Sequence, residues 1–211
     1  ASEAARAPIF VGKGFRLGAN PVDGSSDRVE LETERDLYVS PGRLVRARVQ
    51  RGPFHRDVTI DDVEGESFAP FSSEASRRDE ALWLGIAATV HPGRRLTFAF
   101  GVAPRPTPRP QSASPDTAPP SPLLLTWETW SGAGRPATVI LDETQQFQKS
   151  GLIELSLPAE WRPSLAPDGS GEPLYWLRVR LQYGEPAEPM ALRYVLLDCT
   201  RVRGAATFID R

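Results

Sequence analysis

The amino-acid sequence predicts an all-β fold: an antiparallel β-sandwich of jelly-roll type, with about nine strands and one long proline-rich loop. Three observations lead there. Apolar and polar residues alternate across short runs, a period of two that gives a strand one core face and one wet face. The 21 prolines and 17 glycines fall mostly between those runs, where turns are needed. No segment sustains a 3.6-residue apolar period, so helices are not expected.

The strands follow in order. Val45, Ala47 and Val49 alternate with Arg46, Arg48 and Gln50. Residues 57–63 and 81–87 are strand candidates, and in 95–102 Leu96, Phe98, Phe100 and Val102 turn inward. Leu123, Leu125 and Trp127 share one side, 137–141 is a further strand, and Ile153, Leu155 and Leu157 alternate with Glu154 and Ser156. The clearest run is 174–184. There Tyr175, Leu177, Val179, Leu181 and Tyr183 face one way, and Trp176, Arg178, Arg180 and Gln182 the other. Leu192 to Leu197 is apolar on both faces, which predicts a central strand. Two sheets stacked on their apolar sides satisfy this pattern.

The domain organisation reads as a weakly structured arm over 1–28, a sandwich over 29–203 and a tail over 204–211, with Pro8 to Val11 as an edge-strand candidate. Residues 104–122 hold eight prolines in nineteen positions. They lack ladder donors and core formers, and read as a surface loop inserted in the sandwich.

Composition excludes several functions. The 25 basic and 27 acidic residues leave a net charge of −2, with no footprint for nucleic acid. No apolar run is long enough for a membrane-inserting helix, and the first eight residues have no apolar signal segment. A lone Cys199 allows no internal disulfide and, near the end of an apolar strand, is expected to be buried and inert. No zinc-ligand spacing occurs, and Gly12-Lys13-Gly14 falls short of a phosphate loop, so neither metal nor cofactor is expected. Asp61, Asp62 and Glu64 read as a solvated acidic turn, since they lack calcium-loop spacing.

Catalytic groups are sparse. The two histidines, His55 and His91, both fall in predicted turns. A hydrolase with scattered residues would need one of them beside a carboxylate in a deep pocket. Asp142-Glu143-Thr144 reads as a turn in which Thr144 caps a short helical segment through Phe147. Trp83 and Trp127 read as core, whereas Trp130 and Trp176 sit opposite the main apolar faces. With Arg178 and Arg180, these two tryptophans are the candidate surface-interaction residues, for a protein partner or for stacking on a sugar ring.

The order of short motifs resembles baseplate assembly proteins (baseplate J-like) of phage-like contractile tails and extracellular contractile injection systems. The motifs are Trp127-Glu128-Thr129-Trp130-Ser131-Gly132, Leu141-Asp142-Glu143-Thr144, Phe147-Gln148-Lys149-Ser150-Gly151, Pro158-Ala159-Glu160-Trp161 and Leu174 to Leu181. The likeness spans about residues 81–202 and departs at Asp198-Cys199-Thr200, where an asparagine-containing end is expected. It implies a non-catalytic structural domain that packs against other baseplate, tube or sheath subunits. Such a protein is assembled in the bacterial cytoplasm into a particle that acts outside the cell. The alternative is a carbohydrate-binding β-sandwich module, with a glycan as partner.

Overall fold

The computed structural model describes residues 8–19, 29–58, 60, 66–72, 79–87, 95–104, 123–183 and 190–205. Among them it contains fifteen strands and no helix. Eight of the nine predicted strands are present: β5 (Arg43–Arg51), β7 (Glu80–Ala87), β8 (Arg95–Val102), β9 (Leu124–Trp130), β11 (Thr138–Asp142), β12 (Gly151–Ser156), β13 (Tyr175–Tyr183) and β14 (Leu192–Leu197). Of the 57–63 candidate only 57, 58 and 60 are described, and the strand there is β6 (Phe54–Val58), which takes in His55 instead of leaving it in a turn. β1 (Ile9–Val11) matches the edge-strand candidate at Pro8 to Val11, and five further short strands exceed the expected number: β2 (Arg16–Ala19), β3 (Val29–Thr33), β4 (Leu37–Val39), β10 (Gly134–Pro136) and β15 (Val202–Gly204). At three to five residues each, they are too short for alternation to mark them. The proline-rich stretch beyond Pro104, His91 and the 61–64 acidic turn lie outside the described residues.

Two large antiparallel sheets carry the core. One runs β10-β9-β13-β7-β5-β6, the other β11-β12-β8-β14. Between them lie the inward residues the alternation marks, including Val49, Leu82, Leu84, Phe98, Phe100, Trp127, Leu155, Leu177 and Val179. Truncating any of the large ones to alanine is expected to cost about 2–5 kcal/mol.

β14 is not central. It ends the four-stranded sheet, and Leu192 exchanges two backbone hydrogen bonds with Phe68 at 2.8 Å while Val195 N–H donates to Ile60 O at 3.0 Å. This passing segment pairs with the outer edge of β14 and satisfies its backbone groups. The strand sealed on both sides is β7. Leu82, Leu84 and Ile86 face the sandwich, and Ala81 and Trp83 face a second, smaller core.

The described part of the N-terminal arm is ordered into a bent ribbon. β1 pairs with β4, and β2 with β3, so 9–19 runs antiparallel to 29–39, and β15 adds to the far side of β3. Thr33 fastens the bend: its hydroxyl donates to Gly12 O at 2.8 Å and accepts from Phe15 N–H at 3.0 Å. The ribbon meets the sandwich through polar contacts. Glu143 takes Arg35 at 3.3 Å and Arg201 at 2.9 Å, and Asp198 accepts from Ser40 N–H at 2.7 Å and from its hydroxyl at 3.0 Å.

The turn after β11 departs from its expected form. Gln145, Gln146 and Phe147 have φ of 54°, 62° and 63°, a left-handed turn rather than a right-handed helical one. Each such non-glycine residue costs roughly 1–2 kcal/mol. Asp142 offsets this by accepting four hydrogen bonds, from the N–H and hydroxyl of Thr144 (2.8 and 2.6 Å) and from the N–H and side-chain amide of Gln146 (3.0 and 2.8 Å). The turn delivers Phe147, fully buried, onto Phe100 with ring centroids 4.7 Å apart.

Candidate functional site

The four candidate residues lie on the outer face of the six-stranded sheet, and two of them need correction. Trp176 is fully buried rather than exposed. The segment from Leu157 to Leu174 crosses this face and closes over Trp176, Trp83, Ala81, Ala166 and Leu174. Its indole N–H donates to Ser164 O at 3.1 Å, and Ser164 and Leu174 exchange backbone hydrogen bonds at 2.9 Å. Room for the ring comes from Gly85, where an added Cβ would stand 3.0 Å from the indole and 2.8 Å from Leu174. Trp176 therefore offers no platform to a partner.

Arg178 is committed within the chain. It pairs with Glu128 through both Nε, at 2.6 Å, and a terminal nitrogen. Its guanidinium lies 5.2 Å from the Trp83 ring and 5.0 Å from that of Trp130, which meet edge to face at 5.3 Å. A Cβ on Gly134 would fall 2.6 Å from the guanidinium, so a larger residue there would displace the end of the Arg178 side chain. Gly132, in the same turn, has φ of 86°, as a tight connection requires. Trp130 is partly exposed and Arg180 partly buried, and Arg180 is engaged in an interaction of its own.

A charged cluster anchors the crossing segment. Arg48 reaches Asp57 at 2.5 Å, Asp168 at 2.8 Å and the Ser170 hydroxyl at 3.2 Å. The Ser170 hydroxyl and N–H donate to Asp168 at 2.7 and 3.0 Å and hold its carboxyl down at about 2, with Arg48 adding a smaller pull. His55 stands nearby in β6, with Nε2 buried and unbonded among the described residues. Ser170 thus bonds a carboxylate and not an imidazole, which leaves its oxygen unactivated. Cys199 is half-buried, and burial pushes its thiol up, so it stays protonated near neutral pH.

The ribbon carries the features that residue types alone did not mark. Ile9, Phe10, Phe15 and Leu17 are 41–64% exposed on it, and Val202 is 42% exposed. Register explains part of this. Arg203, Glu32 and Arg16 line up across β15, β3 and β2, so the alternating neighbours Val202 and Leu17 fall on the opposite face.

On its other side the ribbon walls an open cleft of about 890 Å³ against β8 and β12. Its cations are Lys13, Arg35, Arg95 and Arg203, and its anions Glu34, Asp36 and Glu154; Tyr38 and Thr97 complete it. The sequence drew notice to Lys13 alone, within Gly12-Lys13-Gly14, and nothing in it joins this place to Asp36, Arg95 and Glu154.

No protein-family model matches the chain, and no curated protein matches its sequence.

Proposed function

We propose that this chain is a structural, non-catalytic domain of a contractile-tail or injection-system baseplate protein, and that it works by packing against neighbouring subunits of a particle assembled in the bacterial cytoplasm. The observation that carries the reading is the apolar side of the ribbon. A strand pair that exposes Ile9, Phe15, Leu17 and Val202 beside a well-filled sandwich presents the kind of surface that marks a protein contact. The ordered motifs from Trp127 to Leu181 support the baseplate assignment.

The jelly-roll order belongs to the same proposal, and the chain path supports it. From Phe68 onward the strand order sets β7-β13-β9-β10 against Phe68-β14-β8-β12, the arrangement of two interlocked Greek keys. The carbohydrate alternative loses its first support, because Trp176 is buried and Arg178 covers the Trp83–Trp130 pair.

The test is purification of the parent protein from its own cells, followed by electron microscopy. It should travel with sheath, tube or baseplate subunits, and a Phe15→Ser, Leu17→Ser double variant should dissociate while the sandwich stays folded. A parent protein that never co-purifies with such subunits ends this proposal.

A further inference from the structure

The geometry points to the cleft between the ribbon and the four-stranded sheet as a binding site for a neutral sugar, with Tyr38 as its stacking platform. This differs from the packing role and uses the opposite side of the ribbon.

Size comes first. About 890 Å³ is within the range of small-molecule sites and takes a mono- or disaccharide without rearrangement.

Charge decides the ligand class. Four cations and three anions line the cleft, and most are already matched. Arg95 holds Glu154 at 3.0 Å, Arg35 holds Glu143 at 3.3 Å, and Arg203 reaches Glu32 at 3.5 Å. Asp36 accepts from the backbone N–H of Lys13, not from its ammonium, at 2.8 Å. With four cations against three anions the wall comes close to neutral, so neither an anion nor a cation meets a strong field there. A neutral ligand leaves the pairs intact. It meets a wall that carries the N–H donors of Arg95, Arg203 and Lys13 together with the carboxylate oxygens of Glu154, Asp36 and Glu34. Groups that both donate and accept from one atom match such a wall, and hydroxyls do so. A ring carrying several of them is a sugar.

The aromatic face completes the case. Tyr38 is 40% exposed at the cleft, and Phe10 packs on it with centroids 5.0 Å apart, which holds the ring in place. A fixed, half-exposed aromatic beside hydrogen-bonding groups suits the apolar C–H face of a pyranose, with the phenol left to bond a hydroxyl.

The experiment is saturation-transfer NMR on the full chain. The neutral probes are glucose, galactose, mannose, N-acetylglucosamine, lactose, maltose and chitobiose; the anionic probes are inorganic phosphate and N-acetylneuraminic acid. At least one neutral sugar should receive saturation, and titrating it should shift the backbone amides of Arg95 and Thr97. Tyr38→Ala and Glu154→Gln should each weaken binding by about tenfold, while Trp130→Ala leaves it unchanged. Amide shifts in the unaltered chain keep the test valid if a variant fails to fold. Silence from every neutral sugar, displacement by phosphate, or binding within twofold of the original in Tyr38→Ala would overturn the assignment.

Discussion

Trp176→Ala should be among the most damaging single changes in this protein. The indole is fully buried under the 157–174 crossing and donates to Ser164 O. A tryptophan buries some 150–250 Å², so at about 25 cal/mol per Å² the transfer loss approaches 4–6 kcal/mol, an upper bound. Measured tryptophan and phenylalanine truncations cost about 3–5 kcal/mol, and the carbonyl of Ser164 loses a donor besides. A loss of about 4 kcal/mol is expected, which in a chain of this size lowers the melting midpoint by roughly 8–16 °C. Trp130→Ala removes a partly exposed ring stacked on Arg178 and should cost about 1–2 kcal/mol. Urea unfolding, followed by far-ultraviolet dichroism so that loss of an indole does not alter the probe, compares the two. Equal effects, or a Trp176→Ala loss below 1 kcal/mol, would refute the burial argument.

Other outcomes follow from single residues. Burial raises the Asp198 carboxyl to about 6, against the opposing pull of the Ser40 hydrogen bonds, from an ordinary value of 3.8. The folded state therefore binds the proton more tightly than the unfolded one. The stability it contributes is present in full below pH 3.8 and is lost as pH rises through 6. Asp198→Asn should remove that slope and gain about 1–2 kcal/mol at pH 7, after allowance for partial exposure, as thermal melts from pH 4 to 8 would read. Glu80 is buried, receives Ser72 N–H and hydroxyl at 2.7 and 2.6 Å, and lies 2.7 Å from Arg51; Glu80→Ala should cost about 3 kcal/mol in denaturant unfolding. By contrast, Arg35 and Arg201 are about half exposed, so Glu143→Gln should cost under about 1 kcal/mol in the same assay. Asp142→Ala should leave the left-handed turn without its four acceptor bonds and cost about 2–4 kcal/mol, with a change in Trp127 fluorescence as Phe147 shifts against it.

Alternation in the sequence determined the all-β class, eight of the longer strands and the inward residues, because a strand's side chains must change face at every step. Residue types also announced the turn at Asp142, whose carboxylate bonds nearby amides in any tight connection. What covers a face was not legible. Trp176 occupies an outward position, and only the folded path of 157–174 turns that position into core. The same gap misplaced β14: a segment around Ile60 and Phe68, far off in sequence, pairs with its outer edge. The handedness at 145–147 depended on Phe147 finding Phe100 and Trp127. The cleft unites residues 13, 38, 95, 154 and 203. Local pattern fixes which way a side chain points; tertiary structure alone decides what it meets there, since that partner lies tens of residues away and is brought in by packing.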